Sequence, residues 1–237
     1  MKRYYERYED RYRAVYAAGA PAWGHCADDP GLRTILSDWA ARERLAGKHV
    51  IEFACGEGAS GAVLSALGGL YTGVDIAPAA VARARRNLKD CPGARILELD
   101  MVKGRAEGTY DAALDVMGIH MLVTDADRAD YLRNARAVLR EGAPMLFFRV
   151  SYRENAYEGP VARYEDWVKI TGDDYETPAP RFAGDVEVML PLLPARAMNR
   201  AGYERELGTA GFAVEAFEPA QSDGHILLSA TIRARAV

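Results

Sequence analysis

The chain holds 237 residues, 49% hydrophobic and 27% charged, a globular composition that excludes collagen-like, low-complexity and disordered chains. Thirty Lys and Arg against thirty-four Asp and Glu leave a formal charge of −4, which gives no general attraction to a phosphate backbone, so nucleic acid is not expected as a partner. The N-terminal Met1-Lys2-Arg3-Tyr4-Tyr5-Glu6-Arg7 is too charged for a signal peptide, and the longest uncharged run, Gly58 to Val74, is glycine-broken and too short for a bilayer, so no membrane partner is expected.

The first 24 residues stand apart, because Tyr5, Tyr8, Tyr12 and Tyr16 fall on one face of a helix. Such a helix either docks that face on the body or acts as a lid whose tyrosines touch a ligand. From Lys48 onward, short apolar runs alternate with helix-period segments, the signature of β-α-β units and a parallel sheet covered on both faces. His49 to Ala54 reads as the first strand, followed by a glycine-rich turn and a helix carrying Ala62, Val63, Ala66 and Leu67 at helical spacing. Tyr71 to Asp75 is the second strand, and Pro78 opens a helix whose buried face is Val81, Ala84 and Leu88. Ala94 to Leu99 is the third strand and Tyr110 to Met117 the fourth. Thr124-Asp125-Ala126-Asp127 then caps a helix with the stripe Tyr131, Leu132, Ala135, Val138 and Leu139. Met145 to Val150 is the fifth strand. Residues 151–195 lose this rhythm and read as an insertion at the carboxyl ends of the strands, where substrate contacts commonly lie. A helix near Arg196 to Ala210 and strands at Ala213 to Glu218 and His225 to Ile232 complete the sheet. The division is a helical lid over 1–46, a cofactor-binding core over 47–150, a substrate cap over 151–195 and a C-terminal completion over 196–237. The expected fold is α/β, a Rossmann-like doubly wound sheet of seven mostly parallel strands.

The chemistry concentrates at the first strand-to-helix turn, Glu52-Phe53-Ala54-Cys55-Gly56-Glu57-Gly58, with Asp75 at the tip of the second strand. Glycines admit a ligand close to the backbone, and an acid at the second tip can accept both hydroxyls of a ribose. Gly56, Gly58 and Gly61, with Asp75 nineteen positions after the first, also satisfy the dinucleotide fingerprint of an NAD(P)-dependent oxidoreductase. Glu52 argues against that alternative. A carboxylate under the loop would repel a pyrophosphate, whereas S-adenosyl-L-methionine carries an α-ammonium and a sulfonium.

Residues 48–150 resemble the core of the class I S-adenosylmethionine-dependent methyltransferases. The family's acidic-x-small-x-Gly-x-Gly loop corresponds to Glu52, Ala54, Gly56 and Gly58, its ribose acid to Asp75 followed by Ile76, and its adenine-edge pair to Asp100-Met101. Its fourth strand corresponds to Tyr110 through Asp115, with Asp115 placed in the cofactor set. The helix from Asp127 and the turn Leu139-Arg140-Glu141-Gly142 are similar to those before the family's fifth strand. The Gly118-Ile119-His120 and Asp127-Arg128-x-x-Tyr131 patterns look most like small-molecule methyltransferases of the tellurite-resistance and thiopurine type. The resemblance implies methyl transfer to a small-molecule acceptor at N, O or S, an amine or aromatic compound being favoured, with S-adenosyl-L-homocysteine as product. A non-catalytic cofactor-binding scaffold is the other alternative.

His120 follows the fourth strand, where the acceptor pocket of this fold lies, and is the candidate general base; a pocket-wall or structural histidine is the other reading. Tyr8, Tyr12, Tyr16, Trp23 and Tyr152 join it as candidate substrate contacts. Between Ser151 and Glu187 nine acids stand against four bases, with six aromatics among them, a mixture suited either to a cationic or aromatic ligand or to a solvated surface over an aromatic core. Cys55 sits in the loop as a small filler. The three cysteines form no C-x-x-C pair, so no metal is expected, and they fit a reducing, cytoplasmic setting.

Overall fold

The computed structural model describes residues 3–222 and 225–237. A seven-stranded sheet runs in the order β3-β2-β1-β4-β5-β9-β8. Its parallel strands are β1 (His49–Phe53), β2 (Leu70–Asp75), β3 (Ala94–Glu98), β4 (Ala112–Val116) and β5 (Pro144–Ser151), and β9 (His225–Ala236) runs antiparallel between β5 and β8 (Phe212–Ser222). The strand order reverses between β1 and β4, which places a crevice beyond their carboxyl ends.

Side chains alternate across the sheet and build two cores. Ile51, Phe53, Ala113, Met145 and Phe147 pack under α5 (Asp125–Ala137) and α7 (Arg200–Thr209). Val50, Leu114 and Leu146 pack under α2 (Pro30–Glu43), α3 (Ala59–Ala66) and α4 (Pro78–Asn87). By the same alternation Glu52 faces α3, although its neighbours on that face are apolar. Thr124 caps α5 as expected, accepting from the Asp127 amide at 3.2 Å, and all five residues of the expected α5 stripe are buried.

Three elements differ from the sequence reading. Helix α2 was not singled out, although Pro30 at its first turn, the Asp29 cap accepting from the Leu32 amide at 2.9 Å, and buried Leu32, Leu36 and Trp39 all mark it. Helix α3 buries Ser60, Gly61, Val63 and Leu64, whereas Ala66 and Leu67 face outward, because the close approach of Gly61 to Tyr71 turns the small residues inward. The insertion folds as α6 (Tyr164–Thr171) and a separate hairpin of β6 (Ala179–Ala183) and β7 (Val186–Leu190).

The N-terminal segment forms a 3-10 turn over Tyr4–Glu6 and helix α1 (Arg7–Ala17). Tyr4 stacks on Tyr164 with ring centroids 4.9 Å apart, and the Arg11 guanidinium donates to the Pro191 carbonyl at 2.7 Å. Val15 and Ala20 bury against Ala183, Val188 and Leu190 of the hairpin. The insertion therefore clasps the outer side of the N-terminal segment. Among the described residues, no helix is long and apolar enough to cross a membrane.

Candidate active site

Beyond β1 the backbone turns through Ala54, Gly56 and Gly58, all with positive φ, at 53°, 53° and 83°. Asp75 at the tip of β2 fixes this loop, accepting from the Gly56 amide through Oδ2 at 2.8 Å and from the Ala77 amide through Oδ1 at 2.8 Å. Each oxygen keeps a lone pair for a further donor. A Cβ on Gly56 would stand 2.8 Å from the Tyr12 hydroxyl, so this glycine opens the loop toward the crevice. Gly58 instead faces α4, where a Cβ would meet Leu88 at 2.9 Å and Ala84 at 3.3 Å. Expected against the cofactor, it lines neither of the two cavities at this edge; it caps the start of α3 and packs against α4.

Two adjoining cavities lie at this edge, with Ala54, Tyr12 and Met121 in the walls of both. One brings together the expected Ala54, Asp75, Ile76, Asp100 and Met101. Tyr5, Tyr8 and Tyr12 also line it, so the expected Tyr8 and Tyr12 share a cavity with Asp75. The second, of about 360 Å³, is walled by Glu52, Gly56, Trp23, His25 and Met117. Glu52 is 2% exposed and bound by Ser60, whose hydroxyl donates to Oε1 at 2.8 Å, and by the Tyr71 hydroxyl on Oε2. Among the described residues no cluster of three or more His, Cys, Asp or Glu is arranged to hold a metal.

One acid of the loop was missed. Glu57 accepts from the Tyr16 hydroxyl at 2.6 Å and from the amides of Trp23 and Gly24 at 3.0 and 2.9 Å, tying the N-terminal segment to the glycine turn. Glu9 repeats the device by accepting from the Ala79 amide at 2.8 Å, at the start of α4. A carboxylate inside a glycine turn is the signal that pointed to Glu57, but its partners lie 33 to 41 positions away.

Several expected site residues serve elsewhere. Asp115 is fully buried and accepts from the Gly118 and Ile119 amides at 2.7 and 2.9 Å and from the Tyr131 hydroxyl at 2.6 Å, which closes the turn after β4 instead of facing the cofactor. His120 accepts from the Ser151 amide through Nδ1 at 3.2 Å and lines neither cavity. Burial, aided by the Arg128 charge, pushes it down to about 4, so a general-base role is not supported. Tyr16 is spent on Glu57, with the Arg83 guanidinium 4.4 Å over its ring. Tyr152 packs into the core against Phe217 at 5.5 Å. No residue of the 151–195 insertion, read as a substrate cap, lines either cavity; the insertion packs instead behind the N-terminal segment.

The buried acids give the protein a pH signature. Burial pushes Asp75 and Asp115 up to about 6 and Glu52 up to about 8, and their hydrogen-bond donors oppose it. Because the unfolded chain releases these protons near pH 4, the stability they contribute is present below that value and is lost as pH rises through 6 and then 8. Asp29, held low by Arg149, acts only below this window. The expected result is a calorimetric Tm that falls between pH 5 and pH 8.5, and Glu52→Gln should remove the upper half of the fall.

Residues 50–142 match the family model described as a methyltransferase domain. No curated protein matches the chain in sequence. Among solved structures it is similar to an S-adenosylmethionine-dependent methyltransferase from Clostridium acetobutylicum, at 12% identity, with 98% of each chain covered and a TM-score of 0.65. It is similar to magnesium protoporphyrin IX methyltransferase from Synechocystis at 13% identity, covering 100% of this chain and 99% of that one, with a TM-score of 0.66. It is also similar to 1,6-didemethyltoxoflavin methyltransferase from Burkholderia thailandensis at 16% identity, covering 97% and 87%, with a TM-score of 0.65. With the glycine turn, the acid at the tip of β2 and the seven-stranded sheet in place, the chain has the fold of the S-adenosylmethionine-dependent methyltransferases, and its residues 50–142 carry the match to a methyltransferase domain.

Proposed function

We propose that the enzyme transfers the methyl group of S-adenosylmethionine to a small-molecule acceptor, with the adenosine against Asp75, Ile76, Asp100 and Met101 and the amino-acid end above Glu52. The observation that carries this reading is the buried Glu52 carboxylate under an open glycine turn, beside a second cavity ending at Asp75. Glu52 is protonated near neutral pH in the free protein, and an arriving ammonium draws off that proton and pairs with the carboxylate, whereas a pyrophosphate offers it no countercharge, which favours this cofactor over NAD(P).

When bound, the sulfonium supplies a methyl already activated for in-line displacement. The chain's own part is then alignment and exclusion of water. Asp75 orients the ribose through its free lone pairs, and Tyr5, Tyr8 and Tyr12 shut that cavity from solvent. Away from Glu52 and Glu57, the thioethers of Met117 and Met121 and the ring of Trp23 give the second cavity a soft, apolar side, which suits an aromatic acceptor beside the amino-acid end. With His120 neutral and engaged, the acceptor is one whose nucleophilic nitrogen, sulfur or acidic oxygen loses its proton without a strong base. Two of the similar enzymes are named for small natural products, magnesium protoporphyrin IX and 1,6-didemethyltoxoflavin, which supports a small acceptor here.

Isothermal titration should show S-adenosylhomocysteine binding in the micromolar range or tighter and no heat with NADH. A radiolabelled methyl-transfer screen over pooled amines, thiols, phenols and N-heterocycles should then label at least one pool. Binding of NADH in preference to S-adenosylhomocysteine would overturn the reading.

A further inference from the structure

The second cavity has a lopsided electrostatic lining. Glu52 and Glu57 both stand in its wall, and neither Lys nor Arg does. The amides of Trp23 and Gly24 are already taken by Glu57, and the Ser60 hydroxyl by Glu52. An amino acid occupying this space would have its ammonium drawn to the acids, and its carboxylate would need a donor elsewhere.

His25 is placed to be that donor. Its Nδ1 lies 3.0 Å from Nη1 of Arg149, and its Nε2 lies 2.9 Å from the Met117 sulfur at the cavity wall. Oδ2 of Asp29 lies farther from Nδ1, at 3.5 Å, and is taken by Arg149 at 2.6 Å; the nearer guanidinium has no acceptor atom, so the short contact has Nδ1 accepting and the proton on Nε2. Arg149 is itself held, paired in two places with Asp29 at 2.6 and 3.1 Å. Asp29 is in turn the cap of α2, and Arg149 adopts φ 56° at the irregularity in β5 between Phe147 and Val150. A Cβ on Gly31 would come within 2.7 Å of the guanidinium, so the first turn of α2 leaves room for it only because that residue is glycine. Two strand ends and a helix cap thus fix one tautomer of one imidazole. Its donor meets only a thioether, a weak acceptor that a carboxylate oxygen displaces readily.

We propose that His25, oriented by the Arg149–Asp29 pair, donates its Nε2 hydrogen to the carboxylate at the amino-acid end of the cofactor. This assignment rests on the cofactor reading given above. His25 is a binding residue in this scheme, and Arg149 and Asp29 are positioning residues that act through it.

The test compares two ligands on the full chain by titration calorimetry: S-adenosylhomocysteine, and its decarboxylated analogue, which keeps the ammonium and lacks the carboxylate. His25→Ala should weaken the first about 10-fold, the scale of a charge-assisted hydrogen bond, and leave the second within about 2-fold of wild type. His25→Gln, which can offer an N–H at similar reach, should recover part of the loss and serves as the second variant if alanine fails to fold. Equal weakening of both ligands would assign His25 a structural role and overturn the proposal, as would unchanged binding of S-adenosylhomocysteine. If the wild-type chain binds neither ligand, the cofactor reading itself fails; if it binds both and the variants do not discriminate between them, only the role of His25 fails.

Discussion

Asp75→Ala should weaken S-adenosylhomocysteine binding by about 2 to 3 kcal/mol, a loss of roughly 30- to 150-fold, which calorimetric titration measures directly. Two losses combine in that figure. The acceptors for the ribose hydroxyls disappear, and the amides of Gly56 and Ala77, each 2.8 Å from the carboxylate, lose the group that holds the glycine turn in place. Asp75→Asn separates the two, because an amide oxygen can still accept from one of those amides while the charge is gone. The asparagine variant should therefore retain a nearly wild-type Tm and lose most of the affinity. Unchanged affinity in both variants would remove Asp75 from the cofactor site.

A larger effect on stability is expected at Arg128. This side chain is fully buried, pairs both Nε and Nη2 with Glu206 at 2.7 Å, and donates through Nη1 to the carbonyls of Ile119 and Leu122 at 2.9 and 3.1 Å. Arg128→Ala leaves a carboxylate and two carbonyls without their donor, and should cost about 3 to 5 kcal/mol, a large part of the total stability of an ordinary domain. Urea unfolding measures it. Arg128→Met combined with Glu206→Leu should recover most of the loss, because the uncompensated groups, more than the missing attraction, carry the cost. The anchored turn also supplies Met121 and Leu122 to the cavity walls, so the single variant should bind S-adenosylhomocysteine more weakly even where it is still folded.

The order of the strands, the glycine turn and the β2 acid were legible because each depends on residues close in sequence. Val50 to Phe53, the turn and Asp75 span one β-α-β unit, and such a unit obeys local periodicity and handedness. What escaped the sequence depends on distant partners. His120 follows the fourth strand and His25 follows Trp23-Gly24, and nothing local says that one ring is spent on the Ser151 amide and the other faces the space beside Met117. Asp115 lies one residue before the end of β4, close to the place Asp75 has in β2, yet the turn after β4 bends back over it and consumes both oxygens. The aromatic residues of the insertion were open to two readings, a ligand site or an aromatic core under a solvated surface. Tyr164 and Tyr175 serve as a dock for Tyr4 and its neighbours, since a π-face recognises a tyrosine of the same chain as readily as a substrate.

The clasp around the N-terminal segment has a consequence for the order in which the molecule assembles. Tyr4 reaches Tyr164, Arg7 reaches the Tyr175 carbonyl and Arg11 the Pro191 carbonyl, the last pair 180 positions apart, and none of these partners exists when the first helix leaves the ribosome. Closing loops of that length is entropically costly, so the first-made helix is among the last to find its place, after the sheet and the hairpin have created its seat. The walls that Tyr5, Tyr8 and Tyr12 give the cavity at Asp75 thus arrive at the end of folding. A nascent chain can own a complete glycine turn and β2 acid while its binding site is still open to water.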